Sequence, residues 1–213
     1  MNGKKIIVAD DHSFIRLGLI QILKDEYPSA VIKEVADGDS LVKEVIDHDW
    51  DLVISDLDMP GRSGLEALEQ IKLSKPGLPV IILSIYTDDL YAVRALKAGA
   101  SGYLNKNAAP YELVKAIQRV QLGKKYITPE IAEKLLDQKD IFNLHEKLTN
   151  REFEIFKMLA QGKTISQVAE KLSLALTTVS THRSRIMGKL NFSTNSELTR
   201  YAIAHHIIAD LEL

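Results

Sequence analysis

Five short apolar runs, at residues 6–9, 30–36, 51–55, 79–85 and 101–104, recur at nearly even spacing through the first 121 residues. The intervals 14–23, 40–46, 64–73, 90–98 and 112–120 carry apolar residues at helical spacing. Strands that alternate with helices pair in parallel through crossovers, so the pattern predicts an α/β fold with a doubly wound five-stranded parallel sheet. Leu52, Val53 and Ile54, and likewise Val80, Ile81, Ile82 and Leu83, are continuous enough to be buried on both faces, as inner strands require. All strands of such a sheet point one way, so residues at their ends meet along one edge however far apart they lie in sequence.

That edge collects Asp10 and Asp11 after the first run, Asp56 after the third, Ser84 in the fourth and Lys106 just past the fifth. Unpaired carboxylates a few ångströms apart repel by roughly 4 kcal/mol per pair at a surface-like dielectric. Such a cluster needs a cation or raised pKa values. Hard oxygen ligands with open positions suit Mg²⁺, which also takes phosphate oxygens. Asp56 opens the turn Asp56-Leu57-Asp58-Met59-Pro60-Gly61, from which a carboxylate can attack an activated phosphoryl group. Lys106 across the edge would neutralise phosphate oxygens during transfer. Plainer roles fit the same residues: Asp10 and Asp11 as a helix cap, Lys106 as a solvated lysine, Ser84 as a small buried hydroxyl and Tyr103 as a core aromatic.

A different pattern begins near residue 125. Residues 1–124 form the α/β domain and 125–147 a linker, in which Thr128 followed by Pro129 starts a short helix and 134–143 is polar apart from Leu135 and Leu136. Residues 148–213 read as a compact all-α domain of four helices. Three of these are announced by capping boxes: Thr149 with Glu152, Thr164 with Gln167, Thr194 with Glu197. On a helix from about 176 to 190, Val179, Ile186 and Leu190 share the inward face, while Thr177, Ser180, Thr181 and Ser184 share the outward one. That polar face, with Thr178 beside it, can enter a major groove. Lys163, Lys171, Arg183, Arg185 and Lys189, with Thr164, supply phosphate contacts. A small bundle with a solvated polar face fits the same text. The last helix, about 196–208, sets Leu198, Tyr201, Ala202, His205 and Ile208 in a stripe that either pairs two copies or caps its own domain. His205 and His206 are adjacent and face apart, and none of the six histidines has metal-ligand spacing.

Composition narrows the chemistry further. With no cysteine, disulfides, thiolate metal sites and cysteine nucleophiles are excluded, as suits a reducing compartment. The apolar run at 6–9 is too short for a secretory signal and no stretch approaches a membrane span, so a cytoplasmic protein without membrane partners is expected. Residues 1–124 carry 15 Lys/Arg against 18 Asp/Glu, whereas 148–213 carry 8 against 6. A mildly basic tail behind an acidic front points weakly to nucleic acid.

The paired acids Asp10 and Asp11, Asp56 with its Met-Pro-Gly turn, Ser84, Tyr103 and Lys106 together resemble the receiver domain of two-component response regulators. Residues 148–213 resemble the LuxR-type helix-turn-helix of regulators of the NarL/FixJ type. The matching text is Leu148-Thr149-Asn150-Arg151-Glu152, Ala160-Gln161-Gly162-Lys163, Val168-Ala169-Glu170-Lys171-Leu172 and the run 178–190. The resemblance implies phosphorylation of Asp56 by a sensor histidine kinase. It also implies Mg²⁺ on Asp11, Asp56 and the backbone carbonyl of Asp58 with Asp10 in support, and a switch in which Ser84 moves to the phosphoryl group and Tyr103 swings inward. From the second resemblance follow double-stranded promoter DNA with an inverted repeat and a homodimer, formed on phosphorylation, through Leu198, Tyr201, Ala202 and His205. The protein is then a regulator, not a turnover enzyme. Two departures stand out: Ala175 occupies the usual cap position, and Thr177 and the serines replace lysines common among relatives. Rival readings are an Asp-x-Asp phosphohydrolase of the haloacid-dehalogenase kind, whose motif ends the first strand, and a binding protein whose pocket is only structural.

Overall fold

The computed structural model describes residues 3–85, 89–108, 110–128, 131–132 and 144–208. The chain divides into two compact units, Met1–Gln138 and Lys139–Leu213.

The first unit is a five-stranded sheet of β1 (Lys5–Ala9), β2 (Val31–Val35), β3 (Leu52–Asp56), β4 (Val80–Ser84) and β5 (Gly102–Asn105), in the order β2-β1-β3-β4-β5. Every neighbouring pair is parallel. The crossovers are α1 (Ser13–Glu26), α2 (Gly38–Asp47), α3 (Gly64–Ser74) and α4 (Asp89–Lys97), and α5 (Pro110–Gln121) follows β5. All of β3 and β4 is buried, as their unbroken apolar sequence predicts. On one side Ile6, Val8, Leu52, Ile54, Ile81, Leu83 and Leu104 meet Leu19 and Leu23 of α1 and Leu113, Ala116, Ile117 and Val120 of α5. Each such aliphatic side chain contributes about 1.5–3 kcal/mol on burial. From β1 the chain crosses to β2 on one side and then returns past β1 to β3 on the other, so the strand order reverses between β1 and β3, and the crevice beyond their carboxyl ends is where ligands of such folds sit.

Element boundaries agree with the sequence pattern to within a few residues, with instructive exceptions. A fourth capping box, Ser63 with Glu66, opens α3, its hydroxyl accepting from the Glu66 amide while the carboxylate accepts from the Ser63 amide. The α/β unit does not end at 124: the Tyr126 amide donates to the Ser101 carbonyl and its carbonyl accepts from Tyr103, extending the pairing beside β5. The expected helix start at Pro129 and the polar stretch 134–143 lie outside the described residues.

In the second unit a 3₁₀ turn (Leu144–Lys147) precedes α6 (Asn150–Ala160), α7 (Ile165–Lys171), α8 (Leu176–Leu190) and α9 (Asn195–Ala204). All three expected capping boxes form. The 3₁₀ turn, expected in the linker, is part of this unit, since His145 is buried with its Nδ1 3.2 Å from the Tyr201 hydroxyl. Phe153, Phe156, Val168, Val179, Ile186, Leu190, Leu198 and Ala202 fill the core. The last helix stops at Ala204 rather than 208. His206 adopts the left-handed conformation at φ 53° and the Ile207 amide donates back to the Ala202 carbonyl, which returns Ile207 and Ile208 to the core. No helix among the described residues is long and apolar enough to cross a membrane.

Candidate functional site

The sheet edge assembles the acidic pocket. Asp10 directly follows β1 and Asp56 ends β3, both essentially without solvent exposure, while Asp11 is more open. Lys106, one residue past β5, places its ammonium 2.7 Å from Asp10 Oδ2 and 2.7 Å from Asp56 Oδ2. Its backbone amide donates to the Ser84 carbonyl, which fixes the end of β5 against that of β4. Lys106 is therefore no solvated lysine: its side chain is 5% exposed. Burial alone would lower its pKa, but the two carboxylates more than offset this and raise it. Burial pushes the Asp56 carboxyl up to about 6, helped by the Asp10 charge and opposed by Lys106 and by the Asp58 amide, which donates to Asp56 Oδ1 at 3.3 Å.

Local structure holds Asp56 in place. The Leu57 amide donates to the Leu83 carbonyl and the Gly64 amide to the Leu57 carbonyl, closing the 57–64 turn at both ends. Gly64 is required here, because a Cβ at that position would stand 1.9 Å from the Asp56 carbonyl oxygen. Sequence reasoning passed over this glycine, whose signal was its place just after the Ser63 cap. Ser84, buried, ends β4 one residue beyond the Asp56–Leu83 register pair. Tyr103, also buried, lies opposite Ile82.

One member of the cluster was not anticipated. His12 directs Nδ1 to Asp11 Oδ1 at 2.6 Å and to Asp10 Oδ1 at 3.3 Å. Ligand atoms of Asp10, Asp11, His12 and Asp56 all lie within 4.8 Å of one another and could hold a metal ion. No histidine has ligand spacing in the sequence, and His12 joins the cluster through partners from two strand ends, which histidine-to-histidine spacing cannot reveal. Three carboxylates against one ammonium leave excess negative charge, which fits a hard divalent cation.

In the helical unit, α8 buries Val179, Ile186 and Leu190 and exposes Thr177, Thr178, Ser180, Thr181, Ser184 and Arg185. Thr181 Oγ1 donates to the Thr177 carbonyl and Ser184 Oγ to the Ser180 carbonyl, so their lone pairs remain available outward. Ala175 caps α8 without a side-chain bond, as its sequence implied. Arg183 donates from Nε and Nη2 to Asn195 Oδ1. Thr164 is committed to capping α7. Lys163, Lys171 and Arg185 make no ion pair among the described residues.

Two expectations are narrowed. Lys189 does not stand free for phosphate: its ammonium is 2.5 Å from Glu152 Oε2, and although burial alone would raise the Glu152 pKa, this pairing and the Thr149 bonds lower it. Leu198 and Ala202 cannot form a dimer surface, since both are fully buried where α9 packs on α6. Tyr201 is half-buried in the same packing, with Phe156, Phe192 and His145 around it, while His205, its ring 4.1 Å from that of Tyr201, stays exposed. The opposite side of α9 lines an open groove of about 490 Å³ with Ser196, Thr199, Arg200, Ile203 and Ala204.

Comparison with known proteins agrees with both units. Residues 6–118 match the response regulator receiver domain and residues 146–202 the bacterial regulatory proteins of the luxR family. The chain is 34% identical over 204 residues to the response regulator UvrY of Escherichia coli strain K12, covering 94% of each. It is 35% identical over 217 residues to the oxygen regulatory protein NreC of Staphylococcus carnosus, covering 96% of this chain and 99% of that one. The structure of RcsB from Salmonella enterica serovar Typhimurium, bound to promoter rprA in the presence of the phosphomimetic BeF₃⁻, is similar with a TM-score of 0.62. The two share 25% identity, over 93% of this chain and 98% of that one.

Proposed function

Because the chain belongs to the DNA-binding response regulators of two-component systems, of the NarL/FixJ type, we propose that a sensor histidine kinase phosphorylates Asp56 and thereby switches promoter binding. The observation that carries this reading is the Lys106 ammonium lying 2.7 Å from both Asp10 and Asp56. An Asp56 oxygen attacks phosphorus, the P–O bond forms as the P–N bond to the donor imidazole breaks, and Lys106 faces the arriving phosphoryl oxygens. Mg²⁺, held by Asp11, Asp56 and the Asp58 carbonyl with Asp10 behind them, would supply the remaining charge neutralisation. The new group brings roughly −1.5 to −2 charges. Ser84 turns to it and Tyr103 follows, biasing the face formed by α4, β5 and α5. The protein labels once and loses phosphate slowly, so it is a cytoplasmic switch rather than a turnover phosphatase. The Asp-x-Asp pair ends β3 and not the first strand, which also disfavours the phosphatase reading.

The outward face of α8 enters the major groove, where Thr177, Thr178, Ser180, Thr181 and Ser184 meet base edges while Lys163, Arg183 and Arg185 meet phosphates. The inward donation of the Thr181 and Ser184 hydroxyls favours accepting from adenine or cytosine amino groups. Phosphorylation pairs two copies through the exposed side of α9, with Ser196, Arg200, Ile203 and Ala204, and a two-fold dimer reads an inverted repeat with half-sites about one helical turn apart. The test is labelling with acetyl phosphate or phosphoramidate, followed by promoter binding at stated salt. Label retained after Asp56→Ala removes the site assignment, and DNA affinity indifferent to BeF₃⁻ removes the switch.

A further inference from the structure

We propose that His12 is a nitrogen donor to the divalent cation of the acidic pocket and tilts its selectivity from Mg²⁺ toward first-row transition ions, least for Mn²⁺ and more for those above it in the Irving–Williams order. The inference rests on the proposed reading of that pocket as a cation site. His12 is the N-cap residue of α1, a position where a hydroxyl or carboxylate would normally accept from the helix amides, yet its side chain makes no cap bond. The imidazole instead turns back, with Nδ1 2.6 Å from Asp11 Oδ1 and 3.3 Å from Asp10 Oδ1. Its backbone amide donates to the same Asp10 Oδ1 at 2.8 Å, which holds the residue over the pocket.

The distances suit one coordination shell. Ligands bound at about 2.1 Å in an octahedron stand about 3 Å apart when adjacent and about 4.2 Å apart when opposite. The four candidate donor atoms, all within 4.8 Å of one another, need only small adjustments to reach that pattern. The Oδ2 atoms of Asp10 and Asp56 are buried and face the Lys106 ammonium, which closes the inner side of the cluster. Asp11 and His12 are the open members, the His12 side chain being 63% exposed, so an ion arriving from solvent meets the imidazole early. Nδ1 at these distances donates its proton to the carboxylates, so coordination needs that proton to leave Nδ1, with Nε2 carrying the N–H of the neutral ring; the imidazole then adds a donor without adding charge. Oxygen-loving Mg²⁺ gains little from it, whereas ions from Mn²⁺ upward in the Irving–Williams order gain progressively more.

Mn²⁺ itself is the probe. The full-length protein is titrated with Mn²⁺ by electron paramagnetic resonance, the bound ion is examined for ¹⁴N modulation, and Mg²⁺ is used as competitor, with His12→Gln and Asp56→Asn alongside. The expected result is bound Mn²⁺ with nitrogen modulation that His12→Gln abolishes, together with a shift of the Mn²⁺-over-Mg²⁺ preference by about tenfold toward Mg²⁺, the scale on which metal-site neighbours act. Mn²⁺ that binds in an Asp56-dependent way without nitrogen modulation overturns the role of His12 and leaves the pocket standing. Failure to bind Mn²⁺, or binding indifferent to Asp56→Asn, overturns the cation pocket as well. The wild-type spectrum decides on the nitrogen ligand even if His12→Gln does not fold.

Discussion

Replacing Asp56 by Asn should stabilise the protein when no divalent cation is present. Burial, more than the Asp10 charge, raises the Asp56 carboxyl from 3.8 to about 6 in spite of Lys106. Because the folded value is above the unfolded one, the folded protein holds that proton more tightly, and stability falls as pH rises between the two. Two units correspond to about 3 kcal/mol, so ionised Asp56 costs the fold up to that amount at about pH 7.5. Asn keeps the shape without the charge, and Lys106 retains Asp10. Trp50, the single tryptophan of the chain, lies in the α/β unit with its indole donating to the Glu44 carbonyl, and its fluorescence reports unfolding of that unit in urea. In EDTA the Asn variant should unfold at a midpoint about 1 M higher, for a slope of 2–3 kcal/mol per molar. Two conditions should close the gap: lowering the pH through 6 toward 4, which neutralises Asp56, and saturating divalent cation, which stabilises the parent by about 2.7 kcal/mol at a hundredfold excess over Kd. A variant less stable than its parent in EDTA, or a gap that persists at acid pH, would refute the reasoning.

Three further outcomes follow from the helical unit. Leu198→Ala should destabilise it by about 2–5 kcal/mol because it opens a cavity between α9 and α6, whereas Ile203→Asp on the groove side should spare the melting temperature and weaken BeF₃⁻-induced pairing in sedimentation. Lys189→Ala should cost about 1 kcal/mol at neutral pH and leave the salt dependence of DNA binding nearly unchanged, while Arg185→Ala should reduce that slope by about 1. The Glu152 pKa is depressed in the fold, so the stabilisation that Lys189 provides is present above the usual carboxylate range and lost as pH falls through the lowered value. Ala175→Ser should supply the missing cap of α8 and add about 1 kcal/mol, a rise of about 5 °C in a unit of this size; no rise would mean that the cap geometry differs.

The parts of this molecule that were legible in its sequence are those governed by local period or by a single turn of chain. Unbroken apolar runs marked β3 and β4 because an inner parallel strand is buried on both faces, and Thr-x-x-Glu or Thr-x-x-Gln marked three helix starts because the capping partners are three residues apart. What stayed hidden depended on partners distant in sequence. The Leu198, Ala202 and Tyr201 stripe is equally good text for a core and for an interface, and only the packing of α9 on α6 decides between them. Lys189 reads as a free cation until Glu152, 37 residues away, is found beside it. His12 reads as an ordinary residue after an acid pair until the fold turns its ring back onto both acids.

In the proposed function the pocket and the switch depend on the same imbalance of charge. Asp10, Asp11 and Asp56 present more negative charge than Lys106 can offset, and burial, with the Asp10 charge behind it, makes ionised Asp56 costly to the metal-free fold. A divalent cation in the pocket would offset that cost and so bind the folded state preferentially. By linkage, any group that enlarges the negative charge in the pocket must tighten the cation, and the cation must favour that group to the same degree. A phosphoryl group on Asp56 is such a group. If the coupling is real, divalent-cation affinity must rise when BeF₃⁻ occupies the pocket, by the same factor that the cation raises BeF₃⁻ affinity. Unequal factors in a closed binding cycle would show that the two do not share one site.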